Sequence, residues 1–356
     1  MATKFIGARF NINDVWGPQE HWITNSIVGQ VDKKYAGQNN LVLNMTWLGP
    51  QFPDGPWKEL QKLISSGETI DNLVWASIVD PLYINREQMT KVEKLLNAQN
   101  VLETGINLPG LYEFNTGAIA CLEDFPSYTE DQVKLTEIKH LYLCYNRKPK
   151  AHRLEMVEKI IQNNLESLGV ITMGYSTEQQ QQYYEKTNNE LYRTIDDPPE
   201  HYTFNGKFRL HKEFGNVPYD VCSLGRMDIW TTHFLNVVSE TIAFPWDNTF
   251  VTEKTWKPII GMRPFLINGQ TPIYQWLRDR GFKTFNHYFD WVQIEDILES
   301  DVQNSIVAVI KQLATKPNSK LQELYNDMLP DLAHNRRRFT EFANEQKHKV
   351  IHLLDE

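Results

Sequence analysis

The sequence predicts an α/β protein built on parallel sheets. Three observations lead there. Short apolar runs rich in β-branched and aromatic residues alternate with longer segments of helical spacing. That alternation starts twice, near residue 5 and again near residue 140. The chain of 356 residues is long for one compact domain and comfortable for two.

In the first series, 5–12, 41–47, 73–79 and 101–106 read as strands. Helices are expected over 20–28, 57–65 and 86–98, where Trp57, Leu60 and Ile64, then Val92, Leu95 and Leu96, share one face. In the second series the strands are 141–145, 170–173, 232–239, 264–267 and 282–285. Helices are expected over 151–168, 253–261, 272–280 and 294–314, with a surface helix over 177–192. Residues 194–225, broken by Pro198, Pro199, Gly206 and Pro218, read as an irregular connection. Residues 320–354 read as helix interrupted near Pro330. Strands joined through helices make βαβ units, so the expected fold is two facing Rossmann-like domains with a carboxyl-terminal helical tail: 1–138, 139–318 and 319–356. Such a pair is expected to hold its ligand at the carboxyl ends of its strands, in the cleft between the domains.

Composition narrows the class. With 41% hydrophobic, 12% aromatic and 23% charged residues the chain has too much apolar material for disorder. No run of about 18–20 apolar residues suits a membrane span. The start of the chain lacks the apolar core of a signal peptide or an anchor, so a cytoplasmic protein is expected. Cys121, Cys144 and Cys222 have no metal-ligand spacing and fit a reducing compartment. A net charge of −9 argues against a protein that coats nucleic acid. The dinucleotide fingerprint, the P-loop, HExxH and GxSxG are all missing. Asp-x-Asp is missing too, so no protein-held metal and no cofactor is expected.

Two segments carry the chemistry. In the first, Phe250-Val251-Thr252-Glu253-Lys254 opens a helix with Thr252 as N-cap. A helix start favours anions, so Lys254 there makes sense opposite a phosphate, and Glu253 can reach a ribose or sugar hydroxyl. The plain alternative is a pair of solvated charges. In the second, Tyr145-Asn146-Arg147-Lys148-Pro149-Lys150-Ala151-His152-Arg153 turns from strand to helix with five basic side chains, which an anionic ligand would relieve. A solvated basic loop and a nucleic-acid patch are the other readings.

With these residues in view, 234–269 resembles the carboxyl-terminal signature of the family 10 glycosyltransferases, the inverting α1,3/4-fucosyltransferases. That family carries a strand ending in Glu-Asn-Ser/Thr, then Tyr-Val-Thr-Glu-Lys, a helix and a Pro-[Ile/Val]-x-x-Gly strand end. Here Ser239-Glu240-Thr241, 250–254 and Pro264 to Gly269 stand in those places, and Glu240-Thr241 replaces the family's Asn step. The resemblance implies the GT-B fold, a nucleotide-sugar donor (GDP-fucose-like) and donor binding without metal. It implies that Arg153 and Lys254 meet the donor diphosphate and Glu253 the ribose or sugar, with Asn146, Arg147, Glu240 and Thr252 completing the donor site.

An inverting transfer needs a general base. Asp80, after the third strand and before Pro81, is the first candidate and Asp14 the second; Asp54, Glu20 and His21 are weaker. Trp16, Trp22, Trp47, Trp57 and Trp75 are candidate stacking platforms or core residues. The expected acceptor is a hydroxyl on a saccharide or a hydroxymethylated DNA base, in a bacterial or viral enzyme. The basic stretches 336–338 and 347–349 are read either as an anionic-acceptor surface or as a solvated helix face. The competing functions are a non-catalytic sugar- or nucleotide-binding protein and a nucleic-acid-binding protein using the turn from Arg147 to Arg153.

Overall fold

The computed structural model describes residues 3–7, 17–44, 54–78, 86–105, 114–146, 151–174, 201–202, 223–243, 249–289 and 301–355. The expected helix over 177–192 lies outside these, as does nearly all of the irregular connection over 194–225. The chain is α/β and divides into two compact units, 1–124 with 341–356, and 125–340. The division falls before the expected boundary at 138, and the expected tail is shared between the units instead of standing apart.

Unit 1 holds a four-stranded parallel sheet in sequential order: β1 (Lys4–Gly7), β2 (Asn40–Asn44), β3 (Asn72–Ser77) and β4 (Asn100–Gly105). The strand alternation sorts its core onto two faces. Leu41, Leu43, Leu73 and Trp75 face α2 (Asp54–Ser65) and α3 (Arg86–Leu95) through Leu60, Leu63 and Met89. Val42, Val74 and Ala76 face α1 (Gly17–Lys34) and α4 (Thr116–Asp124) through Ile23, Ile27 and Ile119. The strands step one way across the sheet while α1 lies on the face opposite to α2 and α3. The β1–α1–β2 crossover therefore has the opposite hand to the two that follow, a departure from the usual uniform right-handedness.

Unit 2 begins with α5 (Glu130–Val133), whose Thr129 and Gln132 form a capping box. Its five-stranded sheet has the order β7-β6-β5-β8-β9. Here β5 is His140–Asn146, β6 Gly169–Gly174, β7 His201–Tyr202, β8 His233–Ser239 and β9 Phe265–Asn268. All pairings are parallel except that of the two-residue β7. β8 is buried along its whole length, so its apolar residues Phe234, Leu235, Val237 and Val238 show no alternation, and its polar His233, Asn236 and Ser239 are buried with them. The helices are α6 (Ala151–Gln162), α7 (Met227–Trp230), α8 (Glu253–Ile260), α9 (Ile273–Asp279), α10 (Val302–Ala314) and α11 (Asn318–Ile351). α11 belongs to unit 2 as far as residue 340 and to unit 1 from Glu341 onward.

Two local expectations are corrected. Residues 282–285 form no strand: the backbone N–H and C=O of Lys283 are taken by the Asn335 side chain at 2.7 and 2.9 Å, leaving nothing for a ladder. α11 also runs through the exposed Pro330 without a break. Buried Tyr325, Met328 and Leu332 on either side anchor it, so packing outweighs the hydrogen bond that proline removes. No helix among the described residues is long and apolar enough to cross a membrane.

Candidate functional site

Strand order locates the site. In unit 1 the described strands never reverse direction across the sheet. In unit 2 the chain moves from β5 to β6 on one side, then returns to place β8 and β9 on the other. That reversal makes the carboxyl ends of β5 and β8 a topological switch point, the place where ligands of open α/β sheets bind. The register pairs Leu143 with Asn236, so β5 ends at Asn146 level with Ser239, the last residue of β8. Both charged sequence segments start from these two strand ends.

Glu240, the residue after β8, joins them. It is fully buried, and a buried carboxylate is tolerated only when hydrogen-bonded. Four donors meet it. Oε1 accepts from the Thr252 N–H at 3.1 Å and from Thr255 Oγ1 at 2.6 Å. Oε2 accepts from the Thr241 N–H at 3.0 Å and from Thr252 Oγ1 at 2.6 Å. Its carbonyl oxygen accepts from His152 Nε2 at 2.8 Å and from Arg153 Nη2 at 3.2 Å. The side chain thus holds the start of α8, and the main chain holds the start of α6.

α8 begins as its sequence predicts. Thr252 is extended, at φ −115° and ψ −177°, and its hydroxyl caps the Lys254 N–H. Glu253 and Lys254 form an ion pair and are both mostly buried. Consecutive helical residues do not face each other, so the pair forms only because Lys254 folds back over the helix start. There its Nζ also donates to Thr241 Oγ1 at 3.2 Å and Thr252 Oγ1 at 3.4 Å. Burial alone pushes the Glu253 carboxyl up, but Lys254, with Lys257 behind it, holds it below the usual carboxylate range.

Arg153 is buried at 3% exposure in the first turn of α6. Burial lowers its guanidinium pKa, against which Glu253 and Glu240 favour the charged form. Asn146 is buried at the end of β5 and donates to Cys144 Sγ at 3.3 Å. Burial pushes the Cys144 thiol up to about 11, so it is packing and not a nucleophile. Arg147, Lys148 and Lys150 lie outside the described residues, as do Asp14 and Asp80.

The structure therefore brings Asn146, Arg153, Glu240, Thr252, Glu253 and Lys254 to the paired ends of β5 and β8. Glu240 stands at that strand end with its carboxylate engaged by four internal donors. His152, Thr241, Thr255, Asn268 and Gln303 join the network without having been singled out as site residues. Asn268 Nδ2 and Gln303 Nε2 both donate to the His152 carbonyl, at 3.0 and 2.9 Å. Asn268 had a signal, a polar residue closing an apolar strand; Gln303 had none, because a polar residue on a helix reads as solvent-facing.

Other candidates resolve as structure. Trp75 is core, with its indole N–H on Glu93 at 2.9 Å, and Trp22 packs against the core of unit 1. Trp16, Trp47 and the side chain of Trp57 lie outside the described residues, as do the side chains of Glu20, His21 and Asp54. In the basic stretch of α11, Arg336 donates to the Ile260 carbonyl at 3.1 Å and Arg338 to that of Arg280 at 2.7 Å, both at helix ends. A cavity of about 460 Å3 in unit 1, beside β1 and α2, is lined by Lys4 and Glu68, which are paired with each other at 2.6 Å. No cluster of metal-ligating side chains is found among the described residues. No protein-family model matches the chain, and a search of curated proteins finds no matching relative.

Proposed function

We propose that the protein is an inverting, metal-independent glycosyltransferase of the GT-B class, with unit 2 as its nucleotide-sugar domain. One observation carries the reading. Two sequence segments about a hundred residues apart deliver a cation each, Arg153 and Lys254, to hydrogen bonds around the single strand end at Glu240 and Thr241. That is where an open α/β sheet binds a nucleotide, and the cations answer a diphosphate leaving group.

In the transfer, the acceptor oxygen attacks the anomeric carbon as its bond to the diphosphate breaks. The acceptor proton passes to a general base, and the departing charge is taken up by Arg153, Lys254 and the start of α8. Glu253, held ionised, accepts a hydrogen bond from a ribose or sugar hydroxyl. Glu240 is saturated and Glu253 is ion-paired, so the base comes from elsewhere: Asp80 first, Asp14 second. The donor is GDP-fucose-like by resemblance, and the acceptor is a saccharide or a hydroxymethylated DNA base.

The same saturation of Glu240 also suits a protein that binds a sugar nucleotide without transferring it. A panel of GDP- and UDP-sugars screened for thermal stabilisation, followed by assay for transfer, tests both. Ligand at about 100 times Kd adds about 2.7 kcal/mol to stability. Binding with transfer supports the enzyme, binding without transfer the binding protein, and no stabilisation refutes both. DNA binding that falls steeply with salt would point instead to the basic turn.

A further inference from the structure

We infer that Glu240 is a positioning residue for the donor site, setting Lys254 and the start of α8 through its side chain. The inference rests on the donor-site reading. Its ground is the number and kind of groups around the carboxylate. Four donors converge on two oxygens: the N–H groups of Thr241 and Thr252 and the hydroxyls of Thr252 and Thr255. An ionised carboxylate has about four acceptor sites and no donor, so it matches this set; an amide spends one end as NH2 and meets an N–H head-on. The carboxylate is thus explained here without any ligand.

The side chain is also confined. The Glu240 N–H donates to the Asn268 carbonyl at 3.0 Å. A Cβ at Gly269 would come within 3.0 Å of Glu240 Cβ, so the neighbouring strand end closes against it. Glu240 cannot turn toward a ligand without stranding three buried donors and the half-buried Thr241 N–H, which is costlier than any single contact it would gain. What it fixes is the hydroxyl pair that receives Lys254: Thr252 Oγ1 bonds both Glu240 and Lys254, and Thr241 offers its N–H to Glu240 and its hydroxyl to Lys254. The residue acts on the ligand through Lys254.

The test is a double-mutant cycle read by calorimetric titration of GDP, UDP and inorganic pyrophosphate. E240Q and K254A are each expected to lower affinity about tenfold, and the double variant no further, because both remove one arrangement. Circular dichroism checks that each variant is folded. Should E240Q not fold, Thr255→Val replaces it, with an expected loss of about threefold that Thr255→Ser restores. Losses that multiply to about a hundredfold, or wild-type affinity in E240Q, overturn the positioning role alone. A wild-type protein that binds none of the three probes overturns the donor-site reading, and this inference with it.

Discussion

Arg153 Nη2 donates to the carbonyl oxygen of Glu240 at 3.2 Å, so a side chain from the first turn of α6 is aimed by the main chain that leaves β8. The bond is made in a buried setting, where a guanidinium persists because two carboxylates, Glu253 and Glu240, favour its charge. Arg153→Lys keeps the charge but loses the planar fork. It is expected to lower affinity for a nucleoside diphosphate by about tenfold at unchanged fold, as measured by titration calorimetry.

Thr255 lies fully buried inside α8, and its hydroxyl donates to Glu240 Oε1 at 2.6 Å. Thr255→Val preserves shape and leaves a buried carboxylate oxygen one donor short. A loss of about 1–3 kcal/mol in urea unfolding is expected, with Thr255→Ser close to wild type.

Gly261 ends α8 against the indole of Trp230, where an added Cβ would come within 2.2 Å of Trp230 Cζ2. The left-handed position of this helix end is taken by the next residue, Met262, at φ +53°, and Arg263 N–H closes the motif on the Pro258 carbonyl at 2.9 Å. Gly261 is therefore glycine for space and not for conformation. Gly261→Ala is expected to cost about 2 kcal/mol or more by chemical denaturation, part of it recovered by adding Trp230→Phe.

His233 is buried at the start of β8 with Nδ1 donating to the Ile229 carbonyl at 3.1 Å and Nε2 facing the Asn236 amide at 3.1 Å. Burial, with Arg263 nearby, holds its pKa well below 6.5. The unfolded chain then binds the extra proton first, so this contribution is complete above pH about 6.5 and is lost as pH falls. Stability is expected to drop by about 1.4 kcal/mol per pH unit below that point until the folded pKa is reached. Urea midpoints from pH 7 to 5, with the His233 imidazole titrating below an ordinary histidine by NMR, check this; titration at the ordinary value would contradict it.

Pro330 is exposed within the continuous helix α11. Pro330→Ala restores a backbone hydrogen bond at an interior position, where proline is about 3 kcal/mol worse than alanine, less what proline saves in the unfolded chain. A stability gain of about 1–2 kcal/mol in thermal or urea unfolding is expected.

Most elements were legible in the sequence because their apolar patterns are strong. The all-buried β8 and the capped start of α8 at Thr252 stand close to where spacing and chemistry put them. α5 was missed because four residues give too few turns for a period to show, and α4 because its buried residues Ala118, Ile119, Ala120 and Cys121 are consecutive and show no helical spacing. The strand expected over 282–285 failed because the alternation of Phe282-Lys283-Thr284-Phe285 carries no information about whether its backbone has a ladder to join; the Asn335 side chain takes the Lys283 backbone instead.

By itself the sequence determined the α/β class, the twofold start of the alternation and the two cationic segments, because periodicity and charge are local properties. The tertiary structure alone decided the strand order, which among the described strands reverses only in unit 2, and so which strand ends form a switch point. It also decided what Glu240 does. Side-chain type marked it as a polar residue at a strand end; only the convergence of four donors from the chain ahead of it shows a carboxylate spent on holding the site together.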